Sequence, residues 1–296
     1  MKHFFAVITI CVCFGLLDGC KSPEKSKQTS FFEWTDAYNR QVSLEKEPAR
    51  IVSLSPAITE MMYHIGAQEK LVGVSDFCDY PEAAKKLPHL GGMQNINMEA
   101  LLATHPDVVL IGSIVSKKDV AAIEQLKIPV ITLKEESKLE GLADMMIVLG
   151  KITNHEEQAE VAAADWRSRI QRLKETAKAN GGKQKSVYYV VGFGDAGDFT
   201  APKTSHIHEI IELAGCRNVG EHLTGWNVSR EYLFQTNPDI ILVRKEDCDA
   251  FRTRKPYTML KAVQNNQVYP IESGWIDGVS LRNLDAVEML SQLANQ

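Results

Sequence analysis

Aromatic side chains beside glycines are the residues of this chain best suited to chemistry, and the chemistry they suit is binding. Trp226 and Trp275 each follow a glycine in segments predicted to be loops, Phe193 lies between two glycines, and Met93 follows a glycine pair. Flat aromatic faces with a few polar groups suit a broad, mostly apolar small molecule. Open α/β sheets place their ligands at loops of this kind. The alternative is that these side chains fill the core.

The sequence gives less support for an enzyme than for a binding protein. Residues 192–197 have the spacing Gly-x-Gly-x-x-Gly, but without the helix start and downstream acid of a dinucleotide site. A metal-dependent hydrolase would need clustered His, Asp and Glu ligands. His206 and His208 lie on opposite sides of a strand, or about 200° apart on a helix, so they do not share one metal. We therefore predict no catalytic residue, no metal site and no cofactor.

The cysteines leave one question open. Beyond residue 20 they are Cys78, Cys216 and Cys248, without Cys-x-x-Cys spacing. An oxidising compartment permits a disulfide between Cys216 and Cys248. The alternative is that both stay reduced, and the spacing does not decide between the two.

The N-terminus predicts export. A lysine at position 2 precedes the apolar residues 4–17, which is the pattern of a secretory signal and too short for a stable membrane span. Cys20 follows Gly19 in an arrangement that resembles a bacterial lipobox, so we expect a signal peptide over residues 1–19 and a lipid on Cys20. Residues 20–47 then form the tether and lead-in. The alternative is ordinary cleavage nearby with a free cysteine.

Charge and hydropathy limit the kinds of binding partner that the protein is expected to have. No later stretch approaches the roughly 20 apolar residues of a transmembrane helix, so membrane contact is expected through the lipid only. The formal net charge of −5, with dispersed Lys and Arg, gives no support for nucleic-acid binding. We expect a monomer in the periplasm or cell envelope.

Apolar runs alternate with helical patterns, which predicts an α/β fold with parallel strands and crossover helices. The predicted strands cover residues 50–54, 71–74, 107–111, 128–133, 186–191, 239–243 and 268–271. The predicted helices cover residues 59–65, 98–104, 118–126, 208–213 and 284–293, and residues 155–179 could form one long connecting helix.

A sequence pattern that occurs twice indicates two similar halves. Residues 101–110 and 232–242 each read as a helix that ends at Pro-Asp before a buried strand. We therefore predict two Rossmann-like lobes, over residues 48–140 and 183–296, joined by a helical connector over residues 141–182.

Several motifs resemble the helical-backbone substrate-binding proteins of ABC importers, the family that serves cobalamin, haem and ferric siderophores. The resemblance covers roughly residues 48–293. Its strongest strings are Ile51 to Glu60, reading IVSLSPAITE, Gly73 to Pro81, reading GVSDFCDYP, Gly91-Gly92, His208 to Gly215, reading HEIIELAG, and Val228-Ser229-Arg230-Glu231. It implies a ligand cleft between two α/β lobes joined by a long helix, with small opening motions and no enzymatic activity.

Within this family the pattern is most similar to the cobalamin binders, which implies a corrinoid ligand. The resemblance and the aromatic residues in loops together predict a set of ligand contacts. They are Ala57, Phe77, Met93, Phe193, Trp226, Gly274, Trp275, Ile276, Asp277, Gly278 and Arg282. Ile58 departs from the asparagine of that pattern, and Met93 and Gly112 stand where cobalamin binders carry further tryptophans. Because fewer aromatic residues are present than in cobalamin binders, the sequence is also compatible with another ligand.

Haem and ferric siderophores are the alternatives. Haem needs an axial Tyr or His on its iron, and His206, His208 and His222 lie near predicted loop ends. A siderophore would favour positive charge, which Arg282, Arg244 and Lys245 could supply.

The resemblance also implies docking to the permease subunits through one surface carboxylate in each lobe. Glu231 matches the motif of the C-terminal lobe. In the N-terminal lobe the family position falls near Pro88, so Glu82 is the substitute candidate, and an ordinary solvated glutamate is the alternative.

Overall fold

The structure is a computed structural model that describes residues 30–92, 95–112, 115–134, 138–179 and 184–296. The leader, Cys20 and Met93 lie outside these residues. Among the residues described, no helix is both long and apolar enough to cross a membrane.

The N-terminal half is built on a parallel four-stranded sheet, preceded by an antiparallel hairpin of β1 (Phe32–Thr35) and β2 (Gln41–Leu44). The sheet has the order β4-β3-β7-β8. Its strands are β3 (Ile51–Ser53), β4 (Leu71–Val74), β7 (Val108–Gly112) and β8 (Val130–Leu133), and the short pair β5 (Gly91–Gly92) and β6 (Asn95–Ile96) lies apart from it. Every residue of β7 and β8 is buried, as expected for parallel strands that are covered on both faces.

Three helices cover this sheet. They are α1 (Pro56–His64), α2 (Met98–Ala103) and α3 (Lys117–Gln125). Pro56 occupies the first turn of α1, where its missing N–H costs nothing. The side chains of Asn97 and Ser116 cap α2 and α3 by accepting from backbone amides.

Two antiparallel helices follow the sheet, α4 (Gly141–Thr153) and α5 (Glu156–Ala179). Asn154, in the left-handed conformation, ends α4. Gly150 permits a close approach, because a Cβ there would lie 2.4 Å from the Cβ of Ala159. The predicted long helix is therefore present as α5, with α4 packed along it.

The C-terminal half repeats the parallel sheet in the order β11-β9-β13-β14. The strands of this half are β9 (Ser186–Val190), β10 (Asp198–Phe199), β11 (Arg217–Asn218), β12 (Asn227–Val228), β13 (Ile240–Arg244) and β14 (Val268–Ile271). Its helices are α6 (His206–Leu213), α7 (Arg230–Thr236), α8 (Cys248–Thr253), α9 (Lys261–Gln264), α10 (Ser273–Ile276) and α11 (Asn283–Ala294). β10 and β12 form a separate antiparallel pair.

The repeated Pro-Asp has the same structural role in both halves. The Asp107 carboxylate accepts from the amides of Ala49 and Arg50, at 2.8 and 2.9 Å, at the start of β3. Asp239 accepts from the Ser186 amide at 2.8 Å, at the start of β9. Each carboxylate therefore holds the beginning of the neighbouring strand.

The predicted α/β class is confirmed. Each predicted strand and helix lies within a few residues of an element in the structure. The β1–β2 hairpin, the short pairs β5–β6 and β10–β12, the strand β11 and the helices α8, α9 and α10 are not predicted, because runs of two to six residues carry little periodicity.

The disulfide left open by the sequence is not formed. Cys78, Cys216 and Cys248 are free and buried. Burial raises the pKa of the Cys216 thiol to about 11. Burial also raises the pKa of Cys78, whose sulfur lies 3.2 Å from the hydroxyls of Thr59 and Ser75. Since the thiolate is the reactive form, all three thiols should be inert in the folded protein.

We expect Ellman's reagent at pH 8 to find no reactive thiol in native residues 21–296 and three after denaturation, because the cysteines are buried and unpaired. A Val161→Cys variant is the control, since Val161 is exposed on α5 and a thiol there should react at once. One reactive thiol after non-reducing denaturation would instead reveal a Cys216–Cys248 disulfide.

Candidate functional site

Arg282 in the C-terminal half contacts Glu60 in the N-terminal half. Its Nη2 and Nε atoms donate to Oε1 of Glu60 at 2.7 and 3.1 Å. Its guanidinium carbon lies 4.6 Å from the ring centroid of Tyr80. Glu60 belongs to α1, which follows β3, whereas Arg282 follows β14 and α10. The loops that follow these two strands therefore border one cleft, where ligands of open α/β sheets bind.

The Ser-Pro-Ala-Ile-Thr-Glu motif builds the N-terminal side of the cleft. The Thr59 hydroxyl donates to the Ser53 hydroxyl at 2.9 Å and ties the helix to the end of β3. Ala57 and Ile58 are buried in the core. Glu60 is then directed at the opposite half, with a side chain that is 2% exposed. Desolvation raises the pKa of this carboxyl, and the Arg282 guanidinium opposes the increase.

A polar network supports the C-terminal side. Arg244 donates from Nε to Oδ2 of Asp277 at 2.7 Å and from Nη1 to the Val191 carbonyl at 2.9 Å. The Tyr189 hydroxyl donates to Oδ1 of Asp277. Burial first, and then this hydrogen bond, raise the pKa of Tyr189. The hydrogen bond to Asp277 raises the pKa of Arg244. Arg244 is thus already neutralised by a protein carboxylate.

The glycine-rich segment, residues 192–197, forms a turn at the end of β9. Gly194 and Gly197 have φ of +107° and +113°, which explains both glycines without a phosphate. The Asp198 side chain is buried and accepts from Nε of Arg230 at 2.9 Å and from the Tyr257 hydroxyl. This carboxylate fixes the turn to α7.

The structure separates the predicted ligand contacts into two groups. Phe77 and Trp226 are 55% and 44% exposed, on loops of opposite halves. Trp275 is half-buried against the main core. Phe193 packs edge-on against Phe251, with centroids 5.2 Å apart. Among the predicted contacts, Phe77 and Trp226 are therefore the aromatic side chains with the most exposed surface.

Other residues that were predicted to contact the ligand make contacts within the protein instead. Ile276 has no exposed surface, and its carbonyl lies 2.8 Å from Nε2 of His206. Gly274 lies against the Arg282 guanidinium, whereas a Cβ at Gly278 would meet open space. Met93 lies outside the described residues. Glu60 and Tyr80 were missed as site residues, although both belong to motifs that signalled the family.

The three histidines do not form a cluster. Burial lowers the pKa of His206, whose ring contacts the Ile276 carbonyl. His208 is buried between Asn218 and Glu212, at 3.3 Å from each. His222 is exposed beside Glu221. In the part of the chain that the structure describes, no three His, Cys, Asp or Glu side chains group as metal ligands.

A cavity of about 1260 Å³ lies away from this cleft, between the end of α5 and the start of α6. Its lining mixes Lys138, Lys174 and Lys178 with Glu209 and Glu212. Lys174 pairs with Glu140 at its edge. This mixed charge distinguishes it from the predicted ligand site, for which aromatic walls are expected.

Two α/β halves whose loops meet across a cleft define a two-lobed binding protein. The chain belongs to the periplasmic binding protein family, whose model matches residues 51–273.

Two relatives are similar over much of the sequence. An uncharacterized ABC transporter substrate-binding lipoprotein of Bacillus subtilis is 29% identical over 291 residues, 94% of this chain and 92% of that protein. A vitamin B12-binding protein of Pectobacterium carotovorum is 32% identical over 201 residues, 66% of this chain and 71% of that protein. These are substrate-binding proteins and not enzymes, which confirms the prediction of a non-enzymatic binding protein and indicates an envelope or extracellular location.

Two solved structures share the fold. The periplasmic vitamin B12-binding protein of Vibrio cholerae matches with a TM-score of 0.71 and 26% identity, over 84% of this chain and 97% of that one. A periplasmic haem-binding protein of Pseudomonas aeruginosa matches with a TM-score of 0.74 and 24% identity, over 83% and 92%. The second likeness shows the fold alone.

Asp198→Asn should destabilise the protein by about 2 kcal/mol, because a buried carboxylate with charged and hydroxyl donors becomes a poorer acceptor. Thermal unfolding should shift down by about 5 °C for a domain of this size. Asp195→Asn in the same turn is the control. Asp195 is exposed and pairs with Arg254 at 2.7 Å, so its loss should change stability by less than about 0.5 kcal/mol. Equal shifts for the two variants would contradict the assigned role of Asp198.

Proposed function

We propose that this protein is the substrate-binding lipoprotein of an ABC importer and that it captures a corrinoid, such as cobalamin, in the cleft between its lobes. The observation that carries the proposal is the pair of exposed aromatic side chains, Phe77 and Trp226, on loops of the two halves. Aromatic faces on the two sides of a cleft suit a broad, mostly apolar ligand. The vitamin B12-binding relatives support the same class of ligand.

The charges around the cleft also favour a broad ligand without strong negative charge. Arg282 is paired with Glu60, and Arg244 with Asp277. Lys245 is exposed and pairs with Glu272 at 2.7 Å. A ferric siderophore carrying several negative groups would have to compete with these protein carboxylates. A corrinoid, which is edged by amides, needs only a few neutral hydrogen bonds.

Haem is the second candidate, because the cleft contains a phenol. Tyr80 is 48% exposed and lies beside the Arg282 guanidinium. Tyrosine is one of the axial ligands that proteins give to haem iron. His206 and His208, by contrast, would have to leave their partners to reach an iron.

Delivery is proposed to occur at a permease through surface carboxylates. Glu231 lies in the first turn of α7. Its neighbour Arg230 connects this helix to the glycine-rich turn over residues 192–197 through Asp198. Glu82 is 80% exposed in the N-terminal half but is paired with Lys85 at 2.8 Å. Glu231 is therefore the stronger docking candidate. The acylated Cys20 would hold the protein at the membrane, and the protein would act as a monomer.

Titration of residues 21–296 with cyanocobalamin and, separately, haemin tests the ligand. We expect saturable one-to-one quenching of tryptophan fluorescence by cyanocobalamin. Phe77→Ala and Trp226→Ala should each weaken binding about tenfold or more, because each removes an aromatic wall. Trp34→Ala is the matched control, since Trp34 is 37% exposed on the β1–β2 hairpin and belongs to no loop of the cleft.

A haemin Soret shift without a cyanocobalamin response would overturn the corrinoid proposal. Loss of that shift in Tyr80→Phe would then assign the axial ligand to the phenol. Equal weakening by Trp34→Ala and Trp226→Ala would show that fluorescence does not report on the cleft.

Glu231→Ala should reduce cellular uptake of labelled cyanocobalamin about tenfold or more without changing its Kd, because the carboxylate serves docking only. Glu82→Ala should have a smaller effect, because Lys85 already neutralises part of its charge. Glu157→Ala, an exposed glutamate on α5, is the control and should leave uptake unchanged. A parallel loss of affinity in Glu231→Ala would show that the residue supports the cleft rather than docking.

A further inference from the structure

Glu60 and Arg282 are 222 positions apart in sequence and form an ion pair between the two halves. Their side chains are 2% and 16% exposed, so solvent screens the pair poorly. Both guanidinium nitrogens that contact Glu60 donate to the same oxygen, Oε1. The second oxygen, Oε2, is buried and has no hydrogen-bond partner among the residues that the structure describes. Glu60 thus depends on Arg282 for its main compensation.

The C-terminal half holds Arg282 in a fixed position. A Cβ at Gly274 would lie 2.2 Å from Nη1 of Arg282, so the guanidinium fills the space that any side chain there would need. Asn283 locks the surrounding loop. Its Nδ2 donates to the carbonyls of Trp275 and Gly278, both at 2.9 Å, and its Oδ1 accepts from the Ser280 amide at 2.7 Å.

The N-terminal half holds the other side of the pair. Thr59, next to Glu60, is tied to Ser53 at the end of β3, which limits movement of α1. The Tyr80 ring lies against the guanidinium at 4.6 Å, a cation–π distance. Asp79, a largely exposed carboxylate, lies 3.8 Å from Nη2. Arg282 is therefore surrounded by acceptors from the opposite lobe and has little capacity left for a ligand.

We propose that Glu60 and Arg282 are positioning residues that latch the two lobes together and set the width of the cleft, with Asp79 and Tyr80 completing the receptor for the guanidinium. This assigns Arg282 to holding the cleft rather than to contacting the ligand. The contacts of the latch are all made within the protein, so the proposal does not rest on the identity of the ligand.

The test measures the lobe separation directly. Spin labels are placed at Leu102→Cys on α2 and Met259→Cys in the C-terminal half, both exposed positions, while the native cysteines are buried. Pulsed electron spin resonance of the mature protein without ligand should give one narrow distance distribution. Glu60→Gln should make the distribution about twice as wide, because the lobes then sample more open arrangements.

Two further variants keep the test decisive if Glu60→Gln folds poorly. Gly274→Ala retains both charges but displaces the guanidinium, so it should widen the distribution in the same way. The double variant Glu60→Gln/Arg282→Gln should widen it by less than the sum of the two single substitutions, because both of them remove the same ion pair. Far-ultraviolet circular dichroism and thiol burial verify that each variant is folded.

Arg169→Gln is the matched control. Arg169 pairs with Glu288 at 2.9 Å between α5 and α11, but this pair is exposed and does not bridge the cleft, so the distribution should stay narrow. Wild-type widths in folded Glu60→Gln and Gly274→Ala would overturn the latch. So would equal widening by Arg169→Gln, which would indicate general loosening.

Discussion

One continuous hydrophobic core is the constraint on which the rest of the structure depends. It contains residues of both parallel sheets, of α1, α6 and α11, and of the two connecting helices α4 and α5. Parallel sheets must be covered on both faces, and here α4 and α5 help to cover both halves at once. Because the core is shared, separating the lobes widely would expose apolar surface at about 25 cal/mol per Å². This cost favours small changes in the cleft over wide hinge opening.

The polar groups at the cleft are arranged within that constraint. Arg282 and Arg244 reach the cleft from the same half and are both neutralised by carboxylates, Glu60 across the cleft and Asp277 beside it. The two guanidinium groups are therefore engaged mainly with carboxylates of the protein itself. Removing one partner of a buried ion pair costs about 3–5 kcal/mol, so the Glu60–Arg282 pair holds geometry even if it adds little net stability. Phe77, Tyr80 and Trp226 are the exposed aromatic side chains on the loops of the two halves.

The turn over residues 192–198 shows how the cleft is tied to the outer surface. Asp198 connects this turn to Arg230, and Glu231 follows on the exposed side of α7. The aromatic cluster of Phe193, Phe251 and Tyr257 packs beneath the same turn. Asp198 therefore links this turn to the start of α7, the helix that carries Glu231.

The sequence by itself determined the α/β class, the order of the strands and helices along the chain, and the family. These follow from local signals in the sequence. Continuous apolar runs indicate buried strands, Pro-Asp is repeated at residues 106–107 and 238–239, and residues 155–179 have helical periodicity. Only the tertiary structure decided what the site residues do. Whether Ile276 faces a ligand or the core, whether Cys216 and Cys248 meet, and which carboxylate neutralises Arg282 all depend on contacts between residues far apart in sequence. No local pattern encodes such contacts, because they arise only when the two sheets pack around the shared core.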